Sequence, residues 1–309
     1  MRLFVTGASG WIGTALIPEL IAHGHEVVGL ARSDASAARI STLGAEVCRG
    51  SLGDLDRLRA AAETSDGVVH LAFRHDLAFG GDFAGAAHAD RACIEVLGEA
   101  LVGTDRPLVI ASGVLGIAPG RVATEQDGST VPRATGISGA SDRMQNARFA
   151  ASLADHGVRS CVLRLPPTCH GAGDQGFMAI LVAIAREKGV AGYVGDGSAR
   201  WPAAHRLDVA RALRLAVESA PPGSTLHAVA EEGVTGRAFA EVIGRKLGVP
   251  ASSVPGDAAP EHFGFLGYLL ANDSPASSAY TRALLGWEPT HATLLEDLAQ
   301  DHYYGALDR

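Results

Sequence analysis

Three groups of residues in this 309-residue chain have the types and spacing that do chemistry. Gly7, Gly10 and Gly13 stand three apart, after the apolar run Leu3, Phe4 and Val5 and before a helical stretch at 14–22. Glycine is needed where the backbone turns with φ > 0, or where a ligand or strand approaches with no Cβ in the way. A helix leaving such a turn points free N–H groups and its positive dipole end at it, which suits a pyrophosphate. Strand, glycine turn and helix in that order form the dinucleotide-binding arrangement, here spaced G-x-x-G-x-x-G. The second group, Arg32 and Ser33, follows the next apolar strand, where the adenosine ribose is met. An acid there bonds the free 2′-hydroxyl of NAD, and a base accommodates the 2′-phosphate of NADP. The donor fork of Arg32 and the hydroxyl of Ser33 favour NADP (NADPH) over NAD, with Asp34 as the competing acid. The third group lies at strand ends. Ser112 closes the strand 107–112 with a hydroxyl able to bond a substrate carbonyl, or else serves as a turn residue before Gly113. His70, Arg74, His75 and Asp76 close the strand 67–72; His75 is there either a proton donor or a loop histidine facing water.

A regular alternation of elements must position these groups. Strands at 2–5, 26–32, 44–50, 67–72, 107–112 and 157–165 alternate with helices at 14–22, 35–43, 55–62 (capped by 51–54), 83–101 and up to His156. Such alternation gives a parallel sheet covered on both faces, with ligands at the carboxyl ends of the strands. The expected fold is therefore α/β: a doubly wound Rossmann-type parallel sheet with a smaller C-terminal substrate-binding lobe. Residues 1–165 form the dinucleotide-binding core, with a contribution from about 190–230, and 166–309 form mainly the lobe. Within the lobe, Arg200, His205 and Arg206 can line a pocket for a polar or anionic substrate, and Asp208 is placed to cap a helix at 209–218. Residues 251–261 read as a linker or loop. The apolar-aromatic segment 262–270 covers the site, fills the lobe or pairs two subunits, which leaves a homodimer open.

Composition narrows the partners to a small-molecule substrate. A hydrophobic fraction of 47% and a charged fraction of 19% belong to a globular chain. A net charge of −8 argues against nucleic acid, which demands a basic footprint. No apolar run approaches the roughly 18 residues of a membrane span, and the N-terminus lacks a signal-peptide pattern, so a cytoplasmic location is the default. Cys48, Cys93, Cys161 and Cys169 have no C-x-x-C spacing, so neither a metal site nor a redox pair is expected.

The chain resembles the short-chain dehydrogenase/reductase superfamily, most closely its extended members, the NAD(P)-dependent epimerases, dehydratases and reductases. The residues that carry the likeness are Thr6-Gly7-Ala8-Ser9-Gly10-Trp11-Ile12-Gly13, His70-Leu71-Ala72, Ser112, the stretch from Leu163 through Pro166-Pro167 and His170 to Gly171, Gly195-Asp196-Gly197 and His205 to Ala210. Leu285 to Thr290 resembles the end of the same family. The resemblance implies that Thr6, Gly7, Gly10, Trp11, Ile12, Gly13, Arg32, Ser33, Ser51, Leu52, Leu71, Ala72 and Pro166 hold the cofactor. It also implies a serine, a tyrosine and a lysine acting together, the last two as Tyr-x-x-x-Lys on one helix face. This chain departs there: no tyrosine precedes Tyr193, Gly139 stands at about the tyrosine position and Arg143 at about the lysine position. This looks like an atypical branch. Arg143 can hold the nicotinamide ribose or polarise an oxygen, but it cannot give up a proton. His170, read as lying in a strand-end loop, His75 or a water on Ser112 are then the candidate proton sources. The expected function is NADP(H)-dependent hydride transfer to or from a small carbonyl, imine or alcohol. The alternatives are a non-catalytic NADP(H)-binding redox sensor, or an epimerase or dehydratase that retains bound NAD.

Overall fold

The computed structural model describes residues 1–128 and 140–305. In chain order its strands are β1 (Arg2–Thr6), β2 (Glu26–Ala31), β3 (Glu46–Arg49), β4 (Gly67–His70), β5 (Pro107–Gly113), β6 (Arg159–Leu165), β7 (Thr168–His170), β8 (Ala191–Val194), β9 (Arg200–His205), β10 (Ser224–His227), β11 (Glu231–Thr235) and β12 (Ala251–Val254). The helices of the first half are α1 (Gly13–Ala22), α2 (Asp34–Thr42), α3 (Leu55–Glu63), α4 (His75–Phe79), α5 (Phe83–Leu101) and α6 (Ala140–Ser152). Those of the second half are α7 (Phe177–Lys188), α8 (Arg206–Ser219), α9 (Gly236–Leu247), α10 (Ala259–Phe263), α11 (Leu266–Leu270), α12 (Ala279–Leu285) and α13 (Leu294–Leu298).

Seven strands make one parallel sheet in the order β10-β6-β5-β4-β1-β2-β3. A strand buried on both faces is apolar at every position, and Leu3, Phe4 and Val5 are all wholly buried. Alternation sends Leu3 and Val5 into a core with Leu16, Ile17 and Leu20 of α1 and Val209 and Leu213 of α8. It sends Phe4 into the opposite core with Leu58 of α3 and Ile94 and Leu97 of α5. The sheet is thus doubly wound, as its sequence pattern predicts. Strand order reverses between β1 and β4, and in such sheets the ligand crevice lies outside the carboxyl ends at that point. No helix among the described residues is long and apolar enough to cross a membrane.

The second half differs from expectation in several places. A small sheet of β11, β9 and β7 and a parallel pair of β8 and β12 pack with α7, α9, α10, α11 and α13 around Trp201, Phe239, Phe263, Leu266, Leu294 and Leu298. Residues 251–254, read as linker, are strand β12, because β8 supplies a partner 60 residues upstream in register (Ala251 with Ala191). The segment 262–270 breaks into α10 and α11; Phe263, Leu266 and Leu270 are buried in the lobe, and Phe265 and Tyr268 are exposed. Helix α8 begins earlier than predicted, at Arg206, and its cap is His205, whose side chain accepts from the Leu207 N–H. Asp208 is therefore not a cap. Its buried carboxylate accepts the N–H groups of Thr290 and His291, at 3.0 and 3.1 Å, and holds the C-terminal segment against α8. Asp54 also fails to cap its helix: its carboxylate turns back to the N–H and hydroxyl of Ser51.

Candidate functional site

The glycine turn sits where β1 delivers the chain to the crevice. Gly7 has φ +69°. A Cβ on it would lie 2.8 Å from the backbone nitrogen of Ala72, beyond the end of β4. A Cβ on Gly13 would lie 2.2 Å from the Gly7 carbonyl oxygen. These two glycines fold the turn upon itself and against β4. Gly10 is different: it is exposed, and a Cβ there would meet only the Gly7 carbonyl oxygen, at 3.1 Å. Its outer side is left open for close approach. Beside it, the backbone N–H groups of Trp11 and Ile12 have no acceptor among the described residues, and they point the N-terminus of α1 at the opening. A bare cradle with free N–H donors at a helix start fits a pyrophosphate, and hence an NAD(P) cofactor.

The adenosine end lies past β2. Arg32 is exposed and makes no ion pair among the described residues. Ser33 caps α2 by accepting from the Ser36 N–H. Asp34, the competing acid, is the first residue of α2 and is held by Arg49 at 2.6 Å. Arg39, which sequence reading did not single out, reaches from α2 to the Ser9 carbonyl in the glycine turn at 3.3 Å. Ser51 and Leu52 follow β3, and the Leu52 carbonyl accepts from the Cys93 thiol.

At the β4 end, a buried polar chain ties the turn to α6. The Thr6 hydroxyl accepts the Ala72 N–H at 3.3 Å and lies 2.8 Å from His70 Nδ1. His70 Nε2 lies 3.3 Å from Asp90, whose other carboxylate oxygen accepts from Asn146 at 2.9 Å. Where the Thr6 hydroxyl donates to Nδ1, the Nε2–H donates a hydrogen bond to the Asp90 carboxylate. Burial alone would raise the Asp90 carboxyl, but the His70 and Asn146 hydrogen bonds and the Arg143 charge outweigh it and hold it below its ordinary value. Asp90 and Asn146 escaped sequence reading: each is one polar residue within a helix, and only packing shows that both converge on His70. Leu71 and Ala72 lie at the mouth of the crevice, half-buried. Ser112 is buried near the end of β5, the neighbour of β4.

Arg143 lies on α6, half-buried, with its guanidinium 4.2 Å from the centre of the Phe73 ring. Burial pulls it down from its ordinary value and the Asp90 charge partly restores it. Gly139, at the expected tyrosine position, lies outside the described residues.

The β6–β7 connection closes the other side. Pro166 is buried just after β6. The Trp11 indole N–H donates to the Cys169 carbonyl at 2.6 Å. Arg206 stacks 3.9 Å over the Trp11 ring and donates to the Thr14 hydroxyl, which braces the turn. Arg200 is likewise committed, to Asp273 at 2.7 Å. His170 is not in a loop. It ends β7, wholly buried, with Nδ1 3.0 Å from Asp297 on α13 and its ring 5.4 Å edge-on from His205. The structure thus gathers His70, Arg143 and Phe73 at the β4–α6 side, and gives His170 the C-terminal segment for its partner.

The chain is similar to several known proteins. A family model described as the NAD dependent epimerase/dehydratase family matches residues 3–228. An uncharacterized protein of Schizosaccharomyces pombe is 44% identical over 305 residues, 98% of this chain and 100% of its own. The 4-hydroxy-2-methyl-3-oxo-4-farnesyl-3,4-dihydroquinoline-1-oxide ketoreductase of Stigmatella aurantiaca is 27% identical over 265 residues, 81% of this chain and 75% of that protein. The crystal structure of UDP-glucose 4-epimerase from Thermotoga maritima superposes with a TM-score of 0.76 at 19% identity, covering 98% of each chain, a likeness of fold. The family match spans the seven-stranded sheet and the cradle at its switch point, and the chain belongs to the NAD dependent epimerase/dehydratase family.

Proposed function

We propose that this protein is an NADP(H)-dependent oxidoreductase acting on a small carbonyl, imine or alcohol carbon. The observation that carries the reading is a hydroxyl and a cation on the β5 side of the switch point: Ser112 near the end of β5, the neighbour of β4, and Arg143 of α6, which lies over Phe73 beyond the end of β4. Bound in the cradle, the nicotinamide cofactor supplies or accepts the hydride. Ser112 positions the substrate oxygen by a hydrogen bond, and Arg143 stabilises negative charge on it. Arg32, without an ion pair among the described residues while Asp34 is tied to Arg49, supports NADP as the cofactor. A ketoreductase among the relatives supports the reductive direction.

The test is NADPH consumption by the purified protein across a broad panel of ketones, aldehydes and imines. Turnover is expected with some of them, and Arg32→Ala should weaken NADPH about tenfold while leaving NADH unchanged, the size of one lost charge-assisted contact. Binding of NADPH with no consumption across the panel would overturn the reading in favour of a redox sensor. Co-purified NAD with no net NADPH use would favour an epimerase or dehydratase.

A further inference from the structure

The turn after β4 holds a cluster of side chains gathered around Phe73. The Phe73 ring meets the Arg143 guanidinium at 4.2 Å and the His75 ring edge-on at 5.2 Å, with an interplanar angle of 72°. Phe83 of α5 packs against the same ring at 5.9 Å. Phe73 therefore fixes the imidazole and the guanidinium on one framework, a few residues beyond the mouth of the crevice. His75, the first residue of α4, is exposed, and its ring meets the Phe73 carbonyl.

We propose that His75 is the proton-transferring catalytic residue of this site, working beside Arg143. The proposal rests on the oxidoreductase reading. In reduction, the carbonyl carbon gains a hydride from the reduced nicotinamide cofactor, and the C=O π pair moves onto oxygen. That oxygen takes the proton of the His75 imidazolium, leaving an alcohol, a neutral imidazole and the oxidised cofactor; water then reprotonates the ring. In oxidation the neutral ring takes the hydroxyl proton as the hydride leaves carbon. The other candidate side chains are poorly placed. Arg143 keeps its proton. His70 and His170 are wholly enclosed, the one between Thr6 and Asp90, the other against Asp297.

Among the described residues, charged groups reach His75 from α4 and α6. Burial and the Arg143 charge from α6 lower it; the Phe73 carbonyl and Asp76, on its own short helix, pull upward but lose. Asp76 is itself held by Arg74 at 2.7 Å, and Asp90 of α5 acts on Arg143 from behind. The ring therefore titrates below the ordinary histidine value of about 6.5. Reduction needs the protonated ring, so its rate should fall as pH rises through that lowered pKa. Oxidation needs the neutral ring and should rise through the same range.

Two measurements test this. The first is the NMR titration of the His75 ring in the cofactor-free, full-length protein, compared with Arg143→Leu. Removing the cation should move the His75 titration upward; no movement would overturn the cluster, whatever the activity. The second compares wild type with His75→Gln, checking the variant's fold by circular dichroism and its NADPH affinity by calorimetry. With both unchanged, kcat should drop by about 10²- to 10⁴-fold and the histidine limb of the pH profile should vanish. A His75→Gln enzyme that keeps its kcat and pH profile would refute the role of His75 and leave the oxidoreductase reading standing. A wild type with no turnover on the carbonyl panel would remove both.

Discussion

At the scale of residues, the dinucleotide cradle is made by what is missing. Gly13 packs so closely that a Cβ would sit 2.2 Å from the Gly7 carbonyl oxygen and 2.6 Å from that of Ala8, both backbone atoms with no freedom to swing aside. Gly13→Ala must therefore spread the turn and misdirect the N–H groups of Trp11 and Ile12. An affinity loss for NADPH of at least about tenfold, or about 1.4 kcal/mol, is expected by calorimetry; an alanine variant that binds as tightly as wild type would show that the turn does not hold the phosphates. These glycines were legible in the sequence because a backbone constraint leaves its mark at fixed spacing. The buried chain from Thr6 through His70 and Asp90 to Asn146 was not, since a polar residue on an amphipathic helix looks the same whether it meets water or a buried histidine.

At the scale of elements, alternating strands and helices were readable through β6 because each strand of a doubly wound sheet is a short apolar run with its own helix. The lobe was harder. Four-residue β12 carries two serines, so its strand character comes from pairing with β8 and not from its own composition. The start of α8 was misplaced for a related reason: aspartate is a favoured cap, yet here the fold uses Asp208 to bind a distant segment. That carboxylate is 1% exposed; it accepts two backbone N–H groups and lies 2.8 Å from His291 Nδ1, while the Trp287 indole donates to the Asp208 backbone carbonyl at 3.0 Å. Asp208→Ala leaves the Thr290 and His291 N–H groups without their acceptor. At about 1–3 kcal/mol for each unsatisfied donor, partly relieved by water, a loss of about 2–4 kcal/mol is expected in urea unfolding. A loss under about 0.5 kcal/mol would mean that the C-terminal segment is held by its apolar contacts alone.

At the scale of the whole molecule, one parallel sheet and one small lobe meet at the turn. The Trp11 indole bonds the β7 backbone, Arg206 stacks on Trp11, and Asp208 and Asp297 tie α8 and β7 to the C-terminal segment. The fold and its ligand crevice follow from the sequence pattern, whereas the source of the proton does not, since no tyrosine precedes Tyr193. The central claim is that hydride passes between the cofactor and a substrate carbon in the crevice. It is tested most directly by incubating the protein with NADPH deuterated on one face of nicotinamide C4 and a ketone from the panel that it turns over, then locating the label by mass spectrometry. The account predicts one deuterium on the carbinol carbon of the product, from one of the two C4 faces only. A product formed without label from either face, with the deuterium retained on the cofactor, would contradict it.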